Sequence, residues 1–324
     1  MPAMAVTPWQ PFKFPSLGNW DEAVAAVLAH VQGVEGLQPS TYRWIRTSSQ
    51  SFRTFLIDAK HAREFFDGDL RQQVSIVETW IAALRDRGLS RMTLETYWRG
   101  LHALCRRLGE SDSRLNPLDW MKRPKVGPRI PRALTPAEAA RLVQFVQQHP
   151  WRSPFEATRN VAIIACMLLA GLRRGEVLRL RYGDVDLVGE TLAIVQSKGP
   201  NGGKDRTAYL PPQLKEFLAA YVVERVKSGR VAPPLFLSTV VDSPIGVSTI
   251  QRLFAVIEKE TGLHVWPHLL RHTAAALMHR AGIAPRVGMD LMGHAHLSTF
   301  ESYGRVFDAD HHDAAQRLRL DLGA

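Results

Sequence analysis

The sequence predicts a mainly α-helical protein of two domains, the second carrying a small β-sheet or hairpin. Three observations predict it. The chain has 324 residues, about twice the length expected of one domain. Apolar side chains recur at i+3 and i+4 steps through most of it. A segment of three prolines and five cations, Lys122 to Arg132, interrupts that pattern and holds no acidic residue. Four divisions follow: an N-terminal extension over 1–36, a helical domain over 37–121, a basic linker over 122–133 and a second domain over 134–324.

The extension carries Pro2, Pro8, Pro11 and Pro15 with Trp9. It lacks a basic stretch followed by an apolar run, so no signal peptide is expected. Between Thr41 and Lys60, the residues Tyr42, Ile45, Phe52, Phe55 and Leu56 stand at mostly helical spacing. Trp80, Ile81 and Leu84 continue the pattern, and Leu94, Tyr97, Leu101, Leu104 and Leu108 define a third helix between Met92 and Leu108. After the linker, Thr135 at an N-cap, Pro136 at the first helical position and Glu138 form a capping box that starts a new domain. There, Thr191–Ser197 and Thr207–Leu210 read as strands joined through the turn-rich Gly199–Gly203, and helical patterns return at Gln213–Lys227 and Val247–Glu260.

Hydrophobic residues at 45% and charged residues at 22% are those of an ordinary globular chain. The net charge of +10 with a pI near 9.9 points to a polyanion, with nucleic acid first. Half of that charge sits in the linker: Lys122, Arg123, Lys125, Arg129 and Arg132 suit an extended segment lying along phosphates. The longest apolar run, Val161 to Leu172, is too short to cross a membrane. Cys105 and Cys166 have no metal-ligand or redox spacing and fit core thiols in a reducing compartment. A cytoplasmic, nucleoid-associated protein is expected.

Eight of the twelve histidines lie from His264 onward. His268 and His272 have the spacing of a helical zinc pair, but Arg271 stands between them and would repel the metal, so no metal site and no cofactor is expected. As a helix, Pro267–Ala281 puts Leu270, Ala274, Leu277, Met278 and Ala281 on one arc and His268, Arg271 and His272 opposite. Gly171-Leu-Arg173-Arg-Gly-Glu176-Val177 presents an arginine beside a carboxylate at a helix junction, where a guanidinium fork grips two phosphate oxygens. Leu291-Met-Gly-His294 precedes Tyr303 by nine residues. Singly, each feature has a structural explanation: a solvated helix face, a charged helix terminus, a half-buried tyrosine. Jointly they supply a nucleophile, proton donors and dispersed positive charge, the requirements of metal-free transfer at a phosphodiester.

These boxes, G-L-R-x-x-E-V, H-x-L-R-H and L-M-G-H followed by Tyr303, resemble in order and spacing those of the tyrosine recombinases, the phage-integrase-type site-specific recombinases. The resemblance spans about residues 40 to 310. It implies a C-shaped clamp on double-stranded DNA, with a helical core-binding domain and a catalytic domain. It also implies Arg173 and Arg271 on the scissile phosphate, His268 assisting proton transfer, and His294 donating to a non-bridging oxygen. Tyr303 would be the nucleophile that leaves a 3′-phosphotyrosyl link, with Glu176 and His272 in supporting positions. A hairpin lysine would protonate the departing 5′-oxygen; Lys198 is the first choice and Lys204 the alternative. Tyr303 is followed by Gly-Arg-Val where related chains often carry Thr-His-Val. Strand exchange implies a homotetramer on the recombination site, with or without a second recombinase or accessory factor. The tail carrying Ala314, Ala315, Leu318 and Leu320 would dock on a neighbouring protomer or on its own domain. Integration, excision and resolution of a mobile element or replicon all use this chemistry. The rival readings are relaxation of the type IB topoisomerase kind and a catalytically silent, sequence-specific DNA-binding protein.

Overall fold

The computed structural model describes residues 16–33, 39–109, 116–125, 132–195, 205–293 and 300. The chain divides into two compact units, Met1–Pro128 and Arg129–Ala324.

The first unit is helical: α1 (Trp20–Gly33), α2 (Pro39–Asp58), α3 (Ala62–Asp67), α4 (Leu70–Asp86) and α5 (Arg91–Gly109), then a 3-10 turn at Pro117–Trp120. Phe52 on α2 is the centre of its core. Its ring meets Phe65 at 5.0 Å and Trp80 at 5.1 Å, both edge-on, and Trp20 at 6.1 Å. Edge-to-face geometry sets the positive rim of one ring against the negative face of the next. The Trp20 indole N–H donates to Ser49 Oγ at 2.9 Å, which satisfies a buried donor. Leu94, Leu101, Leu104 and Leu108 are buried on α5 as their spacing predicts. The expected N-terminal extension contains α1, whose Trp20, Val24, Val27, Leu28 and Val31 enter this same core.

The second unit contains α6 (Pro136–Gln148), α7 (Pro154–Leu169), α8 (Arg174–Arg179), β1 (Val185–Asp186), β2 (Thr191–Ile194), β3 (Arg206–Tyr209), α9 (Pro212–Lys227), α10 (Val247–Thr261), α11 (Pro267–Arg280) and α12 (Pro285–Met292). Thr135 caps α6 as read: its side chain accepts from the Glu138 N–H, and the Glu138 carboxylate accepts the Thr135 N–H at 2.8 Å. The strands form an antiparallel sheet in the order β1-β2-β3, with Leu192 opposite Ala208 and Ile194 opposite Arg206. α7 is the central element. Every residue from Val161 to Leu168 is buried, because α6, α9 and α11 pack around it. Among the described residues no helix is long and apolar enough to cross a membrane. Both cysteines are free and buried, and burial pushes each thiol up to about 12.

The helical-wheel reading of 267–281 needs correction. α11 lies between α7 and α12, so Leu269, Thr273, Ala275 and Ala276 are buried beside Leu270 and Ala274, while Ala281 is exposed at the helix end. Arg271 does not share an open face with His268. It is buried, 4% exposed, and turned into the packing of α11 against its neighbours.

Candidate active site

The site is built around the end of α12. A helix leaves its last carbonyls without intrahelical donors, and these carry the negative end of its dipole. In this unit three arginines take three successive carbonyls. Arg206 Nη1 donates to Leu291 O at 2.8 Å, Arg271 Nη2 donates to Met292 O, and Arg173 Nη2 donates to Gly293 O at 3.2 Å. The other Arg271 arm, Nη1, donates to Gly171 O at the end of α7.

Local backbone geometry makes this convergence possible. Gly171 has φ +61° and Gly293 φ +62°, left-handed values that favour glycine and end α7 and α12 abruptly. Space also demands glycine: a Cβ on residue 171 would lie 2.4 Å from Met292 Sδ, and one on 293 would lie 2.7 Å from Arg206 Cδ. Arg173 occupies the N-cap of α8 in extended backbone (φ −72°, ψ 151°), so its side chain leaves the helix start toward α12.

Glu176 joins two of the arginines. Its carboxylate accepts from Arg173 Nη1 at 2.7 Å, from the Arg173 backbone N–H at 2.9 Å and from Arg206 Nη2 at 3.1 Å. The Glu176 side chain is 1% exposed, Arg206 10% and Arg173 22%, so Arg173 is the member of this trio that most reaches solvent. Burial alone would raise the Glu176 carboxyl, but Arg206 and Arg173 outweigh it and hold the group below the usual carboxylate range. Burial lowers Arg206 against the pull of Glu176. Three guanidinium groups and one carboxylate leave a net charge of +2 at the helix end, held before any anion arrives. Such preorganised charge in a partly dry site stabilises a developing oxyanion at little reorganisation cost.

The structure thus brings together Arg173, Glu176 and Arg271. His268 is exposed on the first turn of α11 and His272 half-buried one turn on, with ring centroids 6.4 Å apart. Lys198, Lys204, His294, Tyr303 and Arg129 lie outside the described residues, as does the tail after Tyr303. Of the linker cations, Lys122 and Lys125 are exposed, Arg123 pairs with the buried Glu95, and Arg132 stands over the Trp266 ring at 5.8 Å. Sequence reasoning missed Arg206. Its place at the start of a strand carries no motif, and its partners come 30 residues before and 85 residues after it.

Comparison with known proteins adds to this geometry. Residues 132–310 match the phage integrase family. The chain is 28% identical over 243 residues to the tyrosine recombinase XerA of Pyrococcus furiosus, covering 74% of this chain and 79% of that protein. It is 29% identical over 313 residues to the tyrosine recombinase XerC of Chromobacterium violaceum, covering 93% and 98%. Its fold is similar to that of the XerH site-specific recombinase bound to palindromic difH substrate, with TM-score 0.68, 18% identity, and 93% of this chain and 84% of that one covered. A lambda integrase (75–356) dimer bound to a COC′ core site gives TM-score 0.68 at 17% identity over 91% and 97%.

Proposed function

The chain belongs to the phage integrase family, and from that premise we propose that it is a site-specific tyrosine recombinase that cleaves and rejoins duplex DNA through its own residues. The observation that carries this reading is the arginine cluster at the end of α12, because its +2 charge stands next to His294 in sequence and ten residues before Tyr303.

In the proposed step, the Tyr303 phenolic oxygen attacks the scissile phosphorus in line with the 5′-oxygen. The phosphorus–5′-oxygen bond breaks, a 3′-phosphotyrosyl bond forms and the tyrosine proton passes toward His268. Arg173 and Arg271 stabilise the non-bridging oxygens, with His294 donating to one of them. Lys198, or Lys204 in its place, protonates the departing 5′-oxygen. Charge dispersal and proton transfer of this kind need neither a metal nor ATP, and the covalent link conserves the phosphodiester energy for rejoining. Glu176 supports the reading by fixing the Arg173 fork. The exposed Lys122 and Lys125 support a linker that follows the DNA backbone. Exchange between two duplexes calls for four such sites, hence a homotetramer on DNA.

Neither fold nor kinship favours relaxation alone or silent binding over strand exchange. Paired duplexes from the flanks of its own gene provide the test. Recombined junctions are the expected product; relaxation of any supercoiled plasmid without junctions would overturn the assignment to exchange.

A further inference from the structure

Phe300 is fully buried although it stands only three residues before Tyr303. Its ring lies against Gly288 in the middle of α12, so closely that a Cβ on residue 288 would fall 2.1 Å from Phe300 Cζ and 2.6 Å from both Cε atoms. Gly288 has no left-handed backbone to require glycine, and glycine inside a helix costs about 1 kcal/mol relative to alanine. The ring therefore explains the glycine. His279, on the last turn of α11, stacks on the same ring with centroids 4.6 Å apart and planes 18° from parallel. Its Nε2 stands 3.1 Å from the Phe300 carbonyl oxygen, which can only accept. Ala274, Ala275, Met289 and Met292 complete the pocket.

The pocket is joined to the arginine cluster through α12. Met292 packs with Phe300 while its carbonyl accepts from Arg271, and Gly288 lies one turn earlier, about 6 Å along the axis. One short helix thus holds the phosphate-binding charge at its end and the Phe300 ring on its side. From Phe300 the chain has three residues to reach Tyr303, a span of at most about 11 Å.

We propose that Phe300 is a positioning residue for strand cleavage: seated between Gly288 and His279, it fixes the point from which the chain delivers Tyr303 to the phosphate held by the arginines. The proposal rests on Tyr303 being the nucleophile and adds the device that sets its reach. Moving the ring moves the attacking oxygen relative to Arg173 and Arg271 without removing a charge or a DNA contact. It therefore acts on the chemical step and not on binding.

The experiment uses the full chain and duplexes from the flanks of its own gene, with adduct formation followed in single turnover and DNA affinity measured separately. Gly288→Ala is expected to slow adduct formation about 10- to 100-fold, as ångström-scale misplacement of a reacting group does, with affinity within about twofold of wild type. Phe300→Leu is expected to slow it less. The double variant should cleave faster than Gly288→Ala alone, because the shorter leucine leaves room for the new methyl group of a residue it touches. Cleavage by Gly288→Ala at the wild-type rate would overturn the proposal, as would a double variant slower than either single. If Gly288→Ala does not fold, His279→Ala and Phe300→Leu decide: slowed cleavage at unchanged affinity supports the anchor, and unchanged cleavage overturns it. Tyr303→Phe separates the two levels. A Tyr303-dependent adduct indifferent to these variants removes the anchor alone, whereas an adduct that survives Tyr303→Phe, or none from wild type, removes the nucleophile reading as well.

Discussion

Replacing Glu176 by glutamine tests whether the carboxylate holds the arginine cluster. The substitution keeps the shape and removes the charge. Oε2 of Glu176 accepts from the Arg173 backbone N–H and Arg206 Nη2, and Oε1 accepts from Arg173 Nη1 at 2.7 Å. An amide offers one acceptor oxygen, so its NH2 must face a guanidinium N–H, donor against donor. With the carboxylate 1% exposed, water cannot relieve the conflict. Removing one partner of a buried ion pair costs about 3–5 kcal/mol, a large part of the roughly 5–15 kcal/mol that holds a domain folded. In urea this is a midpoint shift of about 1–2.5 M for a slope near 2–3 kcal/mol/M. Cleavage should fall on the order of 100-fold as the Arg173 fork loses its orientation, while DNA affinity holds or rises because the site gains a positive charge. The pH dependence has a definite sign. The folded Glu176 carboxyl lies below its ordinary value, so its contribution is present above an unfolded pKa of about 4.3 and is lost as pH falls through the folded value. The stability gap between wild type and Glu176→Gln should therefore narrow below about pH 4. A variant as stable as wild type at pH 7 and cleaving at the same rate would refute this role.

Three further outcomes are expected. Lys122→Ala and Lys125→Ala should each flatten the slope of log affinity against log salt by about 0.9, one phosphate contact apiece, and Arg123→Ala, already paired with Glu95, by less; equal effects at all three would contradict that distinction. Lys198→Ala should abolish release of the 5′-hydroxyl strand while Lys204→Ala retains it, and the reverse result would transfer the leaving-group role to Lys204. With both thiols buried and pushed up to about 12, neither Cys105 nor Cys166 should react with a disulfide reagent at pH 8 until urea unfolds the chain; rapid labelling of the native protein would contradict the core assignment.

Local rules made much of the fold legible. The Thr135–Glu138 capping box, the leucine ladder of α5 and the placing of Arg173 beside Glu176 depend on residues within one or two turns. What was hidden depends on distant partners. The Arg206 role exists only because Leu291 O and Glu176 come together around it. A helical wheel treats α11 as having one inner side, whereas α7 and α12 both cover it and Arg271 enters the second contact. The apolar spacing of α1 was readable in Trp20, Val24, Val27 and Val31, but the proline-rich residues before it masked the pattern. Glycine at 288 reads as a weak point in a helix until the Phe300 ring is seen against it.

Covalent capture tests the central claim most directly. Wild type and Tyr303→Phe are incubated in EDTA with duplexes from the flanks of the gene, denatured in SDS and examined for protein bound to one strand. A strand-linked adduct with wild type and none with Tyr303→Phe is the predicted result, and it would also map the cleaved phosphate. An adduct that persists in Tyr303→Phe, or that needs a divalent metal, would contradict metal-free cleavage by this tyrosine.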